Sequence, residues 1–139
     1  MQKIVVIIMI FISGVLTSLA QDKHIITIEF TGMESDKGSL FVALYNKETD
    51  FLKKPYRRKI VEINNKKATV VFEGILPGVY AVSSFHDEND NKKMDTRMFG
   101  IPKEPIGTSN NAKGFMGPPK YKDAKFEVKE NSTLQIKVN

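Results

Sequence analysis

The sequence contains no cysteine and only two histidines. Without cysteine, the chain forms no disulfide bond, uses no thiol nucleophile and builds no zinc–thiolate site. Two histidines are too few for a histidine-rich zinc site, and no serine lies in a recognisable nucleophile motif. No segment shows the sustained 3.6-residue apolar period that predicts amphipathic helices. We therefore expect no enzyme, and a metal-dependent hydrolase is the least favoured alternative.

Long apolar runs are also scarce, and the one that is present stands at the N-terminus. Nine apolar residues follow Lys3, and the small residues Ser18 and Ala20 occupy positions −3 and −1 of a predicted cleavage site. These are the three parts of a secretory signal peptide. An uncleaved membrane anchor is less favoured, because a spanning helix needs about 20 apolar residues. We expect a signal peptide over 1–20 and one secreted domain over 21–139, in the periplasm or outside the cell.

Basic residues outnumber acidic ones by 21 to 16, which gives a net charge of +5. A nucleic-acid surface needs a clustered basic face with stacking aromatics, and a secreted protein rarely meets nucleic acid. We therefore expect no nucleic-acid partner. A solvated strand edge is the favoured interpretation of the basic cluster, and weak attraction to anionic polymers or lipid headgroups stays open. The cluster consists of Lys53, Lys54, Arg57, Arg58 and Lys59.

Short segments of alternating apolar and polar residues, separated by turn residues, predict strands. Asn64 and Asn65 predict a tight hairpin turn between the third and fourth strands. Seven short strands at this spacing predict an all-β fold, a single seven-stranded β-sandwich of immunoglobulin-like or prealbumin-like type. The predicted strands cover 24–30, 39–45, 59–63, 68–72, 79–86, 121–128 and 133–138.

The segment 87–120 is rich in glycine and proline, with four of the six prolines and four of the nine glycines of the chain. A structureless loop of this length is unusual in a compact domain unless it is functional or tied down internally. This loop could be ordered by a bound cation, by packing of its own side chains or by a partner.

The beginning of this loop has the spacing of a calcium-binding loop. Asp87, Asn89, Asn91 and Asp95 fall at relative positions 1, 3, 5 and 9, and Lys93 offers its carbonyl at position 7. These are hard oxygen ligands of the kind that Ca²⁺ prefers. The glycine and the final glutamate of an EF-hand are absent, so we expect a shorter loop with a dissociation constant of ~10⁻⁴–10⁻³ M. An Asx-rich turn, whose side chains bond their own backbone, is the equally weighted alternative.

Two further motifs carry a resemblance to known families. The turn and strand at 74–82 resemble those of prealbumin-like sandwiches, in which a Pro-Gly turn leads into a strand. The segments 86–95, 100–107 and 109–112 are similar to a secreted bacterial family, domain of unknown function number 2141 (DUF2141). The resemblance covers about 24–138. It implies an exported bacterial β-sandwich and no activity.

We therefore expect a secreted, monomeric binding or accessory module for an unknown envelope or extracellular ligand. The 87–120 loop would form its recognition surface, shaped by Ile101, Ile106, Phe115 and Met116 on a rigid sandwich. The alternative is a structural envelope protein whose loop is merely packed and binds no ligand.

Overall fold

The computed structural model of the chain describes residues 21–139, and the predicted signal peptide over 1–20 lies outside the described residues. One short helix, α1 (Tyr121–Ala124), accompanies 3₁₀ turns at Glu48–Asp50, Met98–Gly100 and Ser109–Asn111. No helix within 21–139 has the length and apolar content needed to cross a bilayer. The structure is mostly β, with strands β1 (His24–Thr31), β2 (Ser39–Tyr45), β3 (Arg57–Val61), β4 (Ala68–Ile75), β5 (Gly78–Asp87), β6 (Ile106–Thr108), β7 (Phe126–Val128) and β8 (Ser132–Lys137).

The strands form two sheets. The three-stranded sheet has the order β4-β1-β8, in which β1 is antiparallel to β4 and parallel to β8. The larger sheet has the order β3-β2-β5-β6 with antiparallel neighbours, and β7 also pairs with β5. Strand β5 pairs with β6 through Ser83–Phe85 and with β7 through Gly78–Tyr80, so the two short strands pair with successive parts of it.

The two sheets enclose one hydrophobic core. Alternate residues of each strand point inward, as the two-residue period of a strand requires. The core therefore receives side chains from both sheets, which is the arrangement of a β-sandwich. Its fully or almost fully buried members include Ile26, Ile28, Phe30, Leu40, Val42, Leu44, Val70, Phe72, Val82 and Ile136.

The predicted strand count was wrong, because residues 21–139 form eight strands. Strand β6 was missed since three residues are too few for an alternation to be visible. The predicted strand 121–128 divides into α1 and β7. Tyr121 and Ala124 are three residues apart, so one face of α1 presents both to a small apolar cluster that contains Phe51.

The predicted tight turn after β3 is present, but it does not join two strands of one sheet. Asn64 and Lys67 exchange backbone hydrogen bonds of 2.9 and 3.0 Å, with positive φ angles at Asn65 and Lys66 between them. The hairpin prediction was wrong in its pairing, because β3 and β4 belong to different sheets. Strand β4 alternates between buried and exposed residues, whereas β3 is mostly exposed. Two β-rich segments on either side of a turn do not distinguish a hairpin from a crossing between sheets.

Candidate functional site

Two polar residues at the end of β5 are completely buried. His86 and Asp87 have no exposed surface, and Lys37 and Gly38 lie directly against them. Gly38 makes this approach possible: it has a φ of +68°, and a Cβ there would lie 1.8 Å from the Asp87 carbonyl oxygen. His86 Nε2 lies 2.6 Å from the Lys37 carbonyl oxygen, so Nε2 carries the hydrogen and donates it.

The Asp87 carboxylate organises the turn that follows β5. Its Oδ1 accepts the Asn91 N–H at 3.3 Å and its Oδ2 accepts the Lys92 N–H at 2.9 Å. Asn89 Oδ1 also accepts the Asn91 N–H, at 3.2 Å, and Asn91 Oδ1 accepts the Lys93 N–H at 3.1 Å. The segment is thus a series of Asx turns, in which each side-chain oxygen binds the backbone a few residues ahead.

Asp95 closes this turn from the other end. Asn89 Nδ2 donates to Asp95 Oδ2 at 2.6 Å, and Asn91 Nδ2 lies 2.9 Å from both carboxylate oxygens. These two amide donors hold the pKa of Asp95 below its usual value, Asn89 having the larger effect. The structure therefore brings Asp87, Asn89, Asn91 and Asp95 together, as their spacing predicts. Lys93 contributes its N–H to the turn.

Glu104 joins the same group of side chains, which the spacing argument missed. Its Oε2 accepts the Asp95 N–H at 3.2 Å, and the Lys103 N–H donates to the Asp95 carbonyl at 2.8 Å. Glu104 Oε1 is buried and has no hydrogen-bond partner within the described residues. Burial raises the pKa of Glu104, and the negative charges of Asp87 and Asp95 raise it further against the hydrogen bond from Asp95.

An open cavity of about 340 Å³ lies beside these groups. Three of its five lining residues, Glu88, Asp95 and Glu104, carry carboxylates and one, Lys103, carries a cation, so it suits a hard cation better than an anion. Within residues 21–139, no group of three or more Asp, Glu, His or Cys side chains has the arrangement of a metal site. A cation here would therefore depend on amide and main-chain oxygens as well as carboxylates. The cavity is lined by Glu88, Asn89, Asp95, Lys103 and Glu104.

The loop beyond Asp95 presents large apolar side chains to solvent. The segment 95–103 is a short hairpin, closed by a bridge between Thr96 and Pro102 and by the Arg97 N–H to the Ile101 carbonyl at 2.7 Å. A second apolar tip follows β6, where Gly114 and Gly117 flank two exposed side chains. The exposed fractions are 77% for Met98, 94% for Phe99, 56% for Ile101, 92% for Phe115 and 94% for Met116.

Three of the four predicted recognition residues, Ile101, Phe115 and Met116, are exposed on this loop. Ile106 is different, because it is half-buried in β6, opposite Phe85 on β5. Met98 and Phe99 were not singled out from the sequence. The only indication in the sequence that they lie at an exposed tip is Gly100, which follows Phe99 directly and favours a turn.

A family model described as "Uncharacterized protein conserved in bacteria (DUF2141)" matches residues 28–136. The chain belongs to this family. The match begins in β1, ends in β8 and includes the whole of the loop 87–120. No curated protein and no solved structure matches the chain at a significant level.

The basic cluster of this DUF2141 protein lies at one side of the two sheets, where β3 and β4 are both edge strands. Arg57 donates to the Glu73 and Gly74 carbonyls, and Lys59 donates to the Val71 carbonyl. These two cations thus bind the open backbone edge of β4. Edge strands that carry such charges resist pairing with a second chain.

Proposed function

We propose that this DUF2141 protein is an exported, monomeric bacterial binding or accessory module without enzymatic activity. Its sheets, in a β-sandwich of immunoglobulin-like or prealbumin-like type, would carry the 87–120 loop as a recognition surface. One observation supports the proposal above all others: this loop exposes five large apolar side chains. They are Met98, Phe99, Ile101, Phe115 and Met116.

Exposed apolar side chains at loop tips are a disadvantage for a protein whose only role is structural. They contribute no burial to the fold, and they favour aggregation. The tips are nevertheless anchored to the sheets. Ser109, directly after β6, is fully buried, and its Oγ accepts the Val82 N–H at 2.9 Å. Apolar groups held at fixed positions on a rigid scaffold are characteristic of binding loops.

Site-specific photocrosslinking in the producing bacterium tests this proposal. A photoreactive phenylalanine analogue would replace Phe115 in one strain, Phe99 in a second, and Val79, an exposed apolar residue of β5, in a control strain. We expect a specific adduct from position 115 and none from position 79. If positions 115 and 99 both give no adduct, the alternative of a structural envelope protein without a ligand replaces this proposal.

The second part of the proposal is a structural Ca²⁺ ion at the 87–95 loop. Glu104 Oε1 supports it, because a buried carboxylate oxygen without a donor is satisfied by a cation. Asp87, Asp95 and Glu104 would supply negative charge, and the Asn89 and Asn91 side chains would add neutral oxygen ligands after rotation of their amides. The ion would relieve the repulsion that raises the pKa of Glu104.

Thermal unfolding in excess EDTA and then in millimolar Ca²⁺ tests the ion. A ligand that binds only the folded state raises the melting temperature of a domain of this size by roughly 5 °C when its concentration is about ten times its dissociation constant. We expect Glu104→Gln to melt at a higher temperature than the wild type in EDTA, since the carboxylate repulsion is removed, and to lose the response to Ca²⁺. The control Glu127→Gln, on β7, keeps the response. If Ca²⁺ leaves the melting temperature of the wild type unchanged, the segment 87–95 is an Asx-rich turn that binds no ion.

The least favoured alternative is a metal-dependent hydrolase. A hydrolase would need a group placed to activate water or attack a substrate, beside an open metal position. Ser109, the buried serine within the loop, has its hydroxyl engaged by the Val82 N–H and the Ala124 carbonyl. The proposal therefore gives the ion a structural role and the apolar tips the binding role.

A further inference from the structure

A second open cavity, here called the edge groove, lies between the edge strands β3 and β4 of the two sheets. These strands do not pair with each other, so this side of the sandwich is open. The volume of the groove is about 570 Å³, larger than that of the cavity beside Glu104. It is lined by Arg57, Arg58, Lys59, Val71, Phe72 and Glu73.

Two cations of β3 occupy positions that face the core. Arg57 lies opposite Leu44 in the antiparallel pair with β2, and Leu44 is fully buried. Lys59 lies opposite Val42, which is also a core residue. Directly opposite residues of two paired strands lie on the same face of the sheet. The side chains of Arg57 and Lys59 therefore start on the inner face of the larger sheet and reach across the groove to the backbone of β4.

Neutral groups hold both cations in place. Arg57 donates to the Glu73 carbonyl. Lys59 donates to the Val71 carbonyl, and its Nζ lies 5.6 Å from the centre of the Phe72 ring. These contacts fix the two side chains, but they neutralise neither charge. Within residues 21–139, the ion pairs are formed by other side chains, so the groove contains two positioned cations without a counter-anion.

The other charges around the groove leave it positive. Arg58 and Glu73 belong to the outward faces of β3 and β4, where their opposite charges cancel. With three cations and one carboxylate among its lining residues, the groove has a net charge of +2. The flanking segments 53–56 and 62–67 add four lysines and one glutamate, and the carboxylate of Asp36 lies against the second of these segments. The surroundings of the groove are therefore positive as well.

We propose that the edge groove binds a phosphate group carried by a small molecule, with Arg57 and Lys59 holding the phosphate oxygens. A phosphate monoester has a charge of about −1.5 to −2 at pH 7, which matches the net charge of the groove. A carboxylate would leave one positive charge unmatched. This inference concerns a second site, separate from the 87–120 loop, and goes beyond the proposed function.

The two cations keep hydrogen-bond donors for such a ligand. A guanidinium has five N–H donors and an ammonium has three. Arg57 uses three of its donors, on two carbonyls of β4 and on the Tyr56 hydroxyl. Lys59 uses one, on a carbonyl of β4. Two N–H groups of each side chain thus stay available, and N–H groups of cations form strong hydrogen bonds with phosphate oxygens.

The groove has room for more than the phosphate group. Its volume lies within the range of about 300–1,000 Å³ that is typical of small-molecule sites. Two of its lining residues, Val71 and Phe72, are apolar and offer contacts to the carbon atoms of an organic ligand. Protection of the edge strands against pairing accounts for charge at this position, but it requires no cavity beside the charges.

Titrations of the purified protein, followed in two-dimensional ¹H–¹⁵N NMR spectra, test the site. The probes are inorganic phosphate, glycerol 3-phosphate and, as a monovalent control, acetate, all at constant ionic strength because salt screens exposed charges. We expect saturable shifts of the Lys59 and Glu73 amide signals with both phosphates. The affinity for acetate should be at least about tenfold lower, because a single negative charge satisfies only one of the two cations.

Arg57→Gln and Arg58→Gln form a matched pair, because they remove the same charge from adjacent residues on opposite faces of β3. We expect Arg57→Gln to weaken the binding of glycerol 3-phosphate about tenfold or more, and Arg58→Gln to weaken it less than about threefold. Lys59→Gln should act like Arg57→Gln, whereas Lys59→Arg, which keeps the charge, should retain binding.

Three results would overturn the proposal. Equal weakening by Arg57→Gln and Arg58→Gln would show that the anion responds only to net charge. Equal affinities for acetate and glycerol 3-phosphate would show that the groove does not select a phosphate group. The absence of saturable shifts with glycerol 3-phosphate would show that no phosphorylated small molecule binds there. Crosslinks from position 115 test the loop separately, so either proposal can fail without the other.

Discussion

Replacing Asp87 by alanine should release the loop after β5 while both sheets stay folded. The Asp87 carboxylate accepts the N–H groups of Asn91 and Lys92 from a fully buried position. A hydrogen bond to a charged group contributes about 1.5–3 kcal/mol, so loss of the pair lowers the free energy of local opening by roughly 3 kcal/mol. A change of that size corresponds to a hundredfold or greater increase in the open population. Removal of one charge beside Glu104 offsets a small part of this effect.

Amide hydrogen exchange measures the opening directly. The Lys92 N–H is the clearest reporter, because Asp87 is its acceptor, whereas the Asn91 N–H also reaches Asn89 Oδ1. The amides of Arg97 and Lys103 report whether the hairpin 95–103 opens with the turn. We expect exchange at these positions to accelerate about a hundredfold. The core amides of β1 and β2 should keep their protection.

The chain provides a matched control at the other Asx-bridged turn. Asp36 accepts the Asn65 N–H at 3.0 Å and the Lys66 N–H at 2.7 Å, with the same geometry of two consecutive amides on one carboxylate. Asp36 is exposed, so Asp36→Ala should accelerate exchange less, and only at the turn between β3 and β4. If Asp87→Ala leaves the exchange of 88–105 unchanged, Asp87 does not order the loop and the argument for a cation loses its basis.

Two further predictions concern the larger sheet. Ser109→Ala leaves the buried Val82 N–H without its acceptor, so the free energy of unfolding measured in urea should fall by about 2 kcal/mol. A fall of less than about 0.5 kcal/mol would show that this hydrogen bond does not stabilise the fold. Burial raises the pKa of Tyr45 above its usual value of 10.0, and the hydrogen bond with Ser83 offsets part of this rise. As the pH increases, the unfolded chain therefore loses the Tyr45 proton before the folded chain does. The free energy of unfolding should then fall as the pH rises above 10. Tyr45→Phe should flatten that fall in melts recorded against pH, and an identical slope would refute the assignment.

The sequence predicts the strands of the core well, because one face of each is buried. Alternation places β1, β2 and β5 within one or two residues of their observed bounds. It does not predict which strands pair, since β3 and β4 have the same pattern whether they form a hairpin or cross between sheets. The turn at Asn65 and Lys66 serves the crossing equally well, because its positive φ angles only reverse the chain.

The candidate site was predictable only where its residues are close in sequence. Alternate spacing brings Asp87, Asn89 and Asn91 to one centre, since a curled backbone aims every second side chain inward. Glu104 reaches that centre through the hairpin 95–103 and through the hydrogen bond of 2.9 Å from the His86 N–H to the Pro105 carbonyl. No local pattern records such contacts. The positive φ of Phe99, 62°, was not predictable either, because this φ angle is set by the turn and not by the residue type.

The length of the 87–120 segment is explained by β6, which divides it into two shorter loops. Ile106 and Asn139 exchange backbone hydrogen bonds of 3.0 and 3.4 Å, and the Lys137 N–H donates to Asn111 Oδ1 at 2.9 Å, so the middle of the segment is tied to both β5 and the end of the chain. The first of the two loops is ordered further by the hairpin 95–103, and the second begins with the 3₁₀ turn Ser109–Asn111. If packing were the only role of the segment, its large apolar side chains would lie against the sheets. Five of them are exposed instead, Met98, Phe99 and Ile101 before the tethered strand and Phe115 and Met116 after it, as the proposed binding role requires.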